Sequence, residues 1–527
     1  MQTSLFRTLL VLPMAVACAA EGPPGHDGDP DDTGDTGGSD PFAVVDPRDI
    51  VSAEDEADLQ AELDSLVTEQ GAMGAQVAVW LDGELVVLQT TGVRSSRDST
   101  AVDRDTLFQL GSTTKMLTAT TVLQQVDAGR LNLDATLDEA VGGFGLVRSP
   151  EWAGTLHELL THQGDLYDLW DMRKVPDDTG LAEGVAAFEA NGWAYGPSGT
   201  IFNYSNVHYS LLGRAVEAVS GDAWADVLEQ DVAAPLHMSR TVARTADAIA
   251  DGNYCLGDGL VLPGETDPWN PLDTWDFAYR PGGDVAPEDA IDNAFTRPAA
   301  LVWSTAVDEL RFAAFLIDGD PEVLSEGSRA AIVTPWVDVW RSRPGMASGY
   351  GMFVEQGLDL GGFGGEWLET PVWSHSGSTT THASYLYVVP EARFAISVVS
   401  TGGFTDLHGV VNKALLRLLP DVQSGTAPEW SDDESEAAAL VGTYLDPALG
   451  PLVVSQDGED LTLDIQALTD AGEYTVDPVL QYSGSTDIYL LSVSNELGPF
   501  DLEFTFVPDG DGEYRWLISR FIGGERG

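Results

Sequence analysis

The chain has 527 residues, of which 85 are acidic and 25 are basic, so its formal net charge is −60. Such a charge repels phosphate groups, which argues against nucleic-acid binding and against adhesion to an anionic membrane surface. Hydrophobic residues make up 43% of the chain, which is enough for large cores and excludes global disorder.

The first 18 residues are typical of an export signal that ends in a lipid-attachment site. Arg7 supplies a positive charge, and the apolar run over residues 9–16 is too short to span a bilayer. Residues 15–18, Ala-Val-Ala-Cys, resemble a bacterial lipobox, although alanine stands where leucine is usual. We expect a lipid anchor at Cys18 and a membrane-anchored protein that faces the periplasm or the exterior. The alternative is ordinary signal-peptidase cleavage near residue 17 or 20 and a secreted, soluble protein.

Composition divides the remaining chain into four segments. Residues 19–45 are rich in Gly, Asp, Pro and Thr without an apolar period, which predicts an acidic flexible linker. Helical and strand patterns alternate over residues 46–420, and a second linker follows over residues 421–435. Residues 436–527 contain only strand patterns, which predict a small all-β barrel or sandwich.

The larger segment shows a helix, a hairpin, a mostly helical middle, a second hairpin and a last helix. Leu59, Leu63 and Leu66 lie at helical spacing, and Asp82-Gly83 between apolar runs predicts the first hairpin. Further helices are predicted from about residue 113 to 128 and from about residue 406 to 419, with a hairpin turn at residues 390–391. The fold class is therefore α+β, an antiparallel sheet flanked by helices with an added helical subdomain.

Lysine is scarce in this chain, and one lysine has a suggestive neighbour. There are only three lysines among the 25 basic residues, so arginine meets most needs for positive charge. Lys115 follows Ser112 by three residues at the start of a predicted helix, which puts both side chains on one face. A buried lysine loses its proton more readily than arginine, and it could then accept the Ser112 proton and create a nucleophile. A serine precedes a lysine at this spacing by chance in roughly one case in fifteen.

Two further motifs follow the first motif, Ser112-Thr113-Thr114-Lys115, along the chain. They are Tyr204-Ser205-Asn206 and His375-Ser376-Gly377. In this order the three motifs resemble the serine β-lactamase and penicillin-binding-protein superfamily. The resemblance is to its class C-like branch of β-lactamases, D-Ala-D-Ala carboxypeptidases, D-aminopeptidases and esterases, and it covers residues 55–420. The β-rich tail is similar to the small domain often appended to these hydrolases.

The resemblance implies a role for each motif. Ser112 would be the nucleophile and Lys115 its base, while the Tyr204 phenol would pass protons between Lys115, the nucleophile and the leaving group. Asn206 would hold both Lys115 and a substrate amide. Its position before an amphipathic helix also makes it a candidate N-cap, and it could fill both roles. The substrate-binding strand would contribute His375, Ser376, Gly377 and the backbone N–H of Ser378, which would be the second oxyanion donor beside that of Ser112.

The chain departs from the family pattern at two motifs. His375 stands where many β-lactamases have lysine, and a neutral histidine attracts a substrate carboxylate less strongly. After His162 the family usually continues with Ser-Gly, whereas this chain has Gln163-Gly164-Asp165. These departures affect the choice of substrate and one local loop, but not the expected chemistry.

We expect neither a metal nor a cofactor. His157 and His162 nearly form the zinc motif H-E-x-x-H, but one extra residue makes them point roughly 140° apart on a helix. Cys255 is a weak candidate for thiol catalysis, because Gly257, Asp258 and Gly259 predict an acidic loop beside it.

The predicted function is that of an exported serine hydrolase that forms an acyl-enzyme with a small-molecule or peptide substrate, an amide or an ester. The first hypothesis is a D-Ala-D-Ala carboxypeptidase-like peptidase, and the alternatives of the same fold are a β-lactamase and an esterase. The non-enzyme alternative is a penicillin-binding sensor that never deacylates. Residues 251–297, with Trp269 and Trp275, are the candidate wall of the substrate site. The tail carries no catalytic set of residues, so we expect acylation to proceed without it.

Overall fold

The computed structural model covers most of the chain after residue 50. Cys18, Trp275 and most of both linkers lie outside the part that it describes. The described residues are 42, 51–96, 99–169, 175–260, 269, 279–285, 292–339, 345–360, 367–379, 381–403, 405–419, 424–425, 436–472, 474–485, 487–495 and 498–527.

An eight-stranded antiparallel sheet forms the centre of the larger unit, as the sequence predicts. The strands of this unit are β1 (Gly74–Leu81), β2 (Glu84–Gly92), β3 (Phe108–Gln109), β4 (Gly257–Leu260), β5 (Tyr279–Val285), β6 (Trp303–Ser304), β7 (Val337–Asp338), β8 (Met346–Ser348), β9 (Phe353–Glu355), β10 (Leu358–Asp359), β11 (Trp367–Leu368), β12 (Val372–Ser378), β13 (His382–Val389), β14 (Phe394–Thr401) and β15 (Ser424–Gly425). The order in the central sheet is β2-β1-β14-β13-β12-β9-β8-β7. The two predicted hairpins, β1–β2 and β13–β14, are therefore neighbours through β1 and β14.

Helices cover both faces of this sheet. They are α1 (Ala53–Thr68), α2 (Thr114–Asp127), α3 (Leu137–Val141), α4 (Leu156–Leu160), α5 (Thr179–Asn191), α6 (Asn206–Ser220), α7 (Trp224–Val227), α8 (Thr245–Asp251), α9 (Arg297–Ala300), α10 (Ala306–Asp318), α11 (Glu326–Ile332) and α12 (His408–Leu418). Alternate residues of β1 point to opposite faces, as in any strand. Val77 and Val79 join α1 and α12 in one core, whereas Ala78 and Trp80 join α2 and α10 in the other.

The turn between β1 and β2 explains why its sequence signal was reliable. Asp82 and Gly83 have φ angles of 46° and 97°, so both lie in the left-handed region. A two-residue hairpin of this type needs positive φ at both positions, which asparagine, aspartate and glycine tolerate best. The sequence therefore predicts the position of this hairpin, whereas the register of β1 against β2 shifts by one residue between Val79 and Trp80.

The C-terminal domain is a closed eight-stranded barrel, which decides between the barrel and the sandwich that the sequence allowed. Its strands are β16 (Gly442–Asp446), β17 (Gly450–Asp457), β18 (Asp460–Ile465), β19 (Thr475–Ser485), β20 (Ile488–Asn495), β21 (Gly498–Pro508), β22 (Tyr514–Ile518) and β23 (Gly523–Arg526), with helices α13 (Ala437–Leu440) and α14 (Gln466–Ala471). Alternating side chains such as Leu452, Val454 and Leu463 fill its interior. Of the helices in the described part of the chain, none has the length and apolar character that crossing a bilayer requires.

The segment around Cys255 differs from the sequence prediction. Gly257, Asp258 and Gly259 form part of strand β4, which pairs with β5, so the predicted loop is wrong. Gly257 packs against Thr381, next to the turn that joins β12 to β13, and a Cβ at Gly257 would overlap that threonine. The Cys255 thiol is buried and donates to the Val93 carbonyl. Trp269 packs near Phe188 of α5, with 6.2 Å between the ring centroids.

Candidate active site

Ser112 lies in a single 3-10 turn, Gly111–Thr113, directly before α2. Gly111 has a φ of 59°, and a Cβ at this position would overlap the backbone of Gly377 and Ser378. Glycine is therefore required twice over, by the left-handed backbone and by the close approach of β12. The result is that the nucleophile candidate stands at the N-terminus of α2 with the Ser378 backbone nitrogen close to the same turn.

Lys115 has the contacts that a neutral amine needs. It is fully buried, and its Nζ donates to Asn206 Oδ1 at 2.7 Å and to the Ala299 carbonyl at 2.9 Å. The third neighbour of Nζ is Ser112 Oγ, at 3.0 Å. A neutral amine has two N–H groups and one lone pair, and here two acceptors take the N–H groups. The lone pair is then left for the Ser112 hydroxyl, which can donate to it.

Burial favours this neutral form. It lowers the pKa of Lys115 well below the ordinary range; the negative charge of Asp168 opposes this effect, and the positive charge of Arg520 adds to it. The cause is that a low-dielectric interior disfavours the ammonium ion more than the amine. The arrangement at Ser112 is therefore a hydroxyl next to a base, which is the requirement for nucleophilic catalysis.

Tyr204 completes the group around the nucleophile. Its hydroxyl shares a hydrogen bond with the Ser112 side chain, and burial raises its pKa to about 12. The phenol therefore stays protonated at neutral pH, and its hydroxyl can donate a hydrogen bond. The Tyr204 ring stacks on His162, with centroids 4.3 Å apart. His162 also accepts a hydrogen bond from the Ser205 backbone at Nδ1, so it holds the segment that carries Tyr204.

Asn206 binds Lys115 but does not cap the helix. The cap position of α6 belongs to Ser205, and Asn206 is the first helical residue, so the capping alternative is wrong. Its backbone N–H donates instead to Asp168 Oδ1 at 2.6 Å, and its Nδ2 faces Asp168 Oδ2 at 3.5 Å. A carboxylate at a helix N-terminus is stabilised by the free N–H groups and by the helix dipole. Asp168 thus orients the Asn206 amide so that its oxygen faces Lys115.

The third motif lies on β12, beside the nucleophile turn. The His375 side chain is buried, and its Nδ1 donates to the Ser376 carbonyl at 2.6 Å. Burial is the main cause that lowers the pKa of His375 to about 3, and the nearby Lys115 adds to the effect, so the imidazole is neutral. Ser376 is exposed. The Ser378 hydroxyl donates to the carbonyls of Thr379 and Gly403.

Gly377 has a packing reason of its own. A Cβ at this position would overlap the Leu110 carbonyl oxygen and the Ser384 hydroxyl. The absence of a side chain therefore lets β12 lie directly against the turn that carries Ser112. This contact within the protein is sufficient to explain why position 377 is a glycine.

Two residues of the site, Asp168 and Arg520, were not identified from the sequence. Asp168 is fully buried, and its second oxygen accepts from Arg520 Nε at 2.5 Å. Arg520 follows β22 of the C-terminal barrel, and its guanidinium carbon lies 5.0 Å from the centroid of the Tyr204 ring. Asp168 stands among apolar residues, which hints at a buried acid, but Arg520 is one arginine among many. The barrel therefore contributes a side chain to the surroundings of the catalytic motifs.

The residues of the near-zinc motif have separate partners. His157 Nδ1 contacts the Tyr350 hydroxyl at 2.7 Å, whereas His162 Nδ1 contacts His208 Nδ1 at 3.1 Å. Backbone hydrogen bonds hold the loop after His162, where the sequence departs from the family pattern. The His162 carbonyl accepts from the Asn203 backbone, and the Asp165 carbonyl accepts from the Tyr195 backbone. Burial raises the pKa of the Asp165 carboxyl well above its usual range.

Comparison with known proteins agrees with this geometry. Residues 59–419 match the family model named Beta-lactamase. Penicillin-binding protein 4 of Amycolatopsis lactamdurans is 32% identical over 408 residues, which cover 74% of this chain and 97% of that protein.

Solved structures share the fold at lower identity. SurE has a TM-score of 0.61 and 22% identity, and the match covers 90% of this chain and all of that one. The D-amino acid amidase of Ochrobactrum anthropi SV3 has a TM-score of 0.54 and 21% identity over 68% of this chain and 98% of the amidase. With a family model that spans more than half of its length and a relative at 32% identity over nearly that relative's full length, the chain belongs to the beta-lactamase family, within the superfamily of serine β-lactamases and penicillin-binding proteins.

Proposed function

We propose that the protein is a serine hydrolase that forms an acyl-enzyme at Ser112 without a metal. The observation that carries this proposal is the position of Lys115, a buried amine whose Nζ lies 3.0 Å from Ser112 Oγ and whose N–H groups have other acceptors. A base held in this way removes the serine proton at the moment of attack, which makes a weak nucleophile reactive.

We propose the following steps of acylation. Lys115 takes the Ser112 proton while Oγ forms a bond to the substrate carbonyl carbon, and the carbonyl electrons move to its oxygen. The backbone N–H groups of Ser112 and Ser378 would stabilise that oxyanion. When the tetrahedral intermediate collapses, the leaving nitrogen or oxygen takes a proton from Tyr204, which Lys115 reprotonates. Water then repeats the sequence in reverse and releases the acid.

We propose a D-Ala-D-Ala carboxypeptidase-like peptidase as the first substrate class. Support comes from the similarity to penicillin-binding protein 4. The neutral imidazole of His375 favours a second candidate, an amidase or esterase whose substrate has no carboxylate. An uncharged group at this position attracts a carboxylate less than lysine does. Having histidine in place of lysine therefore does not weaken the binding of substrates that have no carboxylate.

The experiment that tests the proposal combines trapping with turnover. We expect the full-length protein to be labelled by a fluorescent penicillin, and Ser112→Ala to remain unlabelled under the same conditions. Turnover of nitrocefin, a D-Ala-D-Ala peptide, a D-amino acid amide and a nitrophenyl ester then ranks the substrate classes by kcat/KM. A label that persists without turnover of any substrate would favour a sensor, and labelling that survives in Ser112→Ala would refute the nucleophile assignment.

We also propose that the protein is exported and held at a membrane by a lipid on Cys18. The lipobox-like residues 15–18 and the acidic linker after them support this proposal. Cys18→Ser should move the protein from the membrane fraction to the soluble exported fraction. An unchanged distribution, or a mature N-terminus beyond residue 18, would contradict the anchor.

A further inference from the structure

The C-terminal barrel reaches the catalytic motifs through one side chain. Arg520 Nε donates to Asp168 Oδ2 at 2.5 Å, although 352 positions separate the two residues. The Asp168 side chain is completely buried, whereas 28% of the Arg520 side chain is exposed. A buried carboxylate is costly unless it is paired, and Arg520 is the cationic partner of Asp168.

Asp168 connects this arginine to the base. It accepts from the Asn206 backbone at 2.6 Å, and Asn206 Oδ1 in turn accepts from Lys115 Nζ at 2.7 Å. A continuous chain of contacts therefore runs from the barrel to Lys115. The guanidinium also lies over the Tyr204 ring, so Arg520 lies next to one of the two groups that flank Ser112 and is linked to the other through Asp168 and Asn206.

Docking of the barrel does not depend on this arginine alone. Trp516 and Ile518 of β22 belong to the same apolar cluster as Trp193 and Tyr195 of the larger unit. Arg148 donates in addition to the Pro447 carbonyl across the same contact. Replacing Arg520 therefore removes a charge at the site while these packing contacts keep the barrel in place.

We propose that the barrel is a working part of the active site, and that Arg520 is a positioning residue that acts through Asp168 and Asn206 on Lys115. The proposal rests on the proposed function and extends it, because it states what the residues around Lys115 contribute to the site. It also reverses the expectation from sequence that acylation proceeds without the tail.

The charges around Lys115 show how the pair would act. The titratable groups near it among the described residues are His162, His208, His375, Tyr204, Tyr209, Asp168 and Arg520. Burial lowers the pKa values of the three histidines and raises those of the two tyrosines, so all five are neutral near pH 7. Asp168 raises the pKa of Lys115 and Arg520 lowers it, so their effects oppose each other. Replacing Arg520 with a neutral side chain removes one of the causes that lower the pKa of Lys115.

The test measures the pKa of Lys115 directly in the full-length protein. Because the chain has only three lysines, labelling with lysine carrying 13C at Cε gives few NMR signals, and Lys115→Met assigns the one of interest. We expect Arg520→Gln to raise the pKa of Lys115 by about one unit, and Asp168→Asn to lower it. Arg515→Gln is the matched control, since Arg515 is an exposed barrel arginine that pairs with Glu525; it should change nothing.

Acylation provides the second readout. Arg520→Gln should shift the pH profile of labelling by fluorescent penicillin about one unit to higher pH, so the rate that is lost on the acidic limb recovers as the pH rises through the new pKa. Arg520→Lys retains the charge, so it should restore most of the original pH profile even if Arg520→Gln folds poorly. An unchanged Lys115 pKa in Arg520→Gln and Asp168→Asn, or a rate loss that is the same at every pH, would overturn the proposal. If the wild type is not acylated at all, the proposed function fails, while the NMR titration still tests the link between Arg520 and Lys115.

Discussion

Lys115→Arg should abolish acylation about as completely as Ser112→Ala. Arginine keeps the positive charge but stays protonated far above neutral pH, so it cannot accept the serine proton. Loss of a general base typically costs roughly 100- to 10,000-fold in rate. The measurement is the second-order rate of labelling by a fluorescent penicillin, compared with that of the wild type at several pH values.

Two controls make this result interpretable. Circular dichroism and thermal melting establish that the variant is folded, and Lys115→Met tests an uncharged side chain of similar length at the same buried position. The Ser112→Ala/Lys115→Arg double variant should be no slower than either single variant, because the two groups act as one unit. If Lys115 served only as a positive charge, arginine would retain much of the activity and methionine would not. Near wild-type labelling of folded Lys115→Arg would overturn the mechanism, though not the family assignment.

Asn206→Asp should make the enzyme active only at higher pH. This change is nearly isosteric, but it places a carboxylate where the Asn206 Oδ1 now lies, 2.7 Å from Lys115 Nζ. An opposite charge this close raises the pKa of a lysine by roughly 1–3 units, so the acidic limb of the pH profile, which follows Lys115, should move to higher pH by the same amount. The labelling rate should fall on that limb and recover as the pH rises.

Asn206→Ala is the matched control for this prediction. It removes the acceptor without adding a charge, so it should slow labelling at every pH and leave the midpoint of the profile where it was, or lower it. A positioning role alone would give Asn206→Asp and Asn206→Ala the same pH profile. An unshifted midpoint in a folded Asn206→Asp protein would therefore show that the pKa of Lys115 does not control the reaction.

The sequence predicted the fold class and the proximity of Ser112 to Lys115, because both depend on local patterns. The turn at Asp82-Gly83 requires positive φ angles, which few residue types accept, so its signal was specific. Ser112 and Lys115 lie one helical turn apart, and their proximity follows from spacing alone. The pattern was less informative for Gly257–Gly259, where three residues typical of loops form a strand through pairing with a distant partner.

Contacts between distant segments explain what the sequence could not predict. Arg520 reaches Asp168 only because the barrel packs on the larger unit, and no spacing rule connects residues 352 positions apart. The Asp168 carboxylate accepts from the Asn206 backbone N–H at the start of α6, where Ser205 holds the cap position. Gly377 is explained by the Leu110 carbonyl on another element. In each case a contact between segments far apart in the sequence decides the role of the residue.

Peptide mass spectrometry after brief exposure to a penicillin tests the central claim, acyl-enzyme formation at Ser112, most directly. Trypsin should release residues 105–115, which follow Arg104 and end at Lys115. We predict a mass increase equal to the whole penicillin on this peptide, with the fragment ions placing it on Ser112 and not on Thr106, Thr113 or Thr114. The adduct should be absent in Ser112→Ala and strongly reduced in Lys115→Arg. An unmodified peptide from wild-type protein, or an adduct on another residue, would contradict the account.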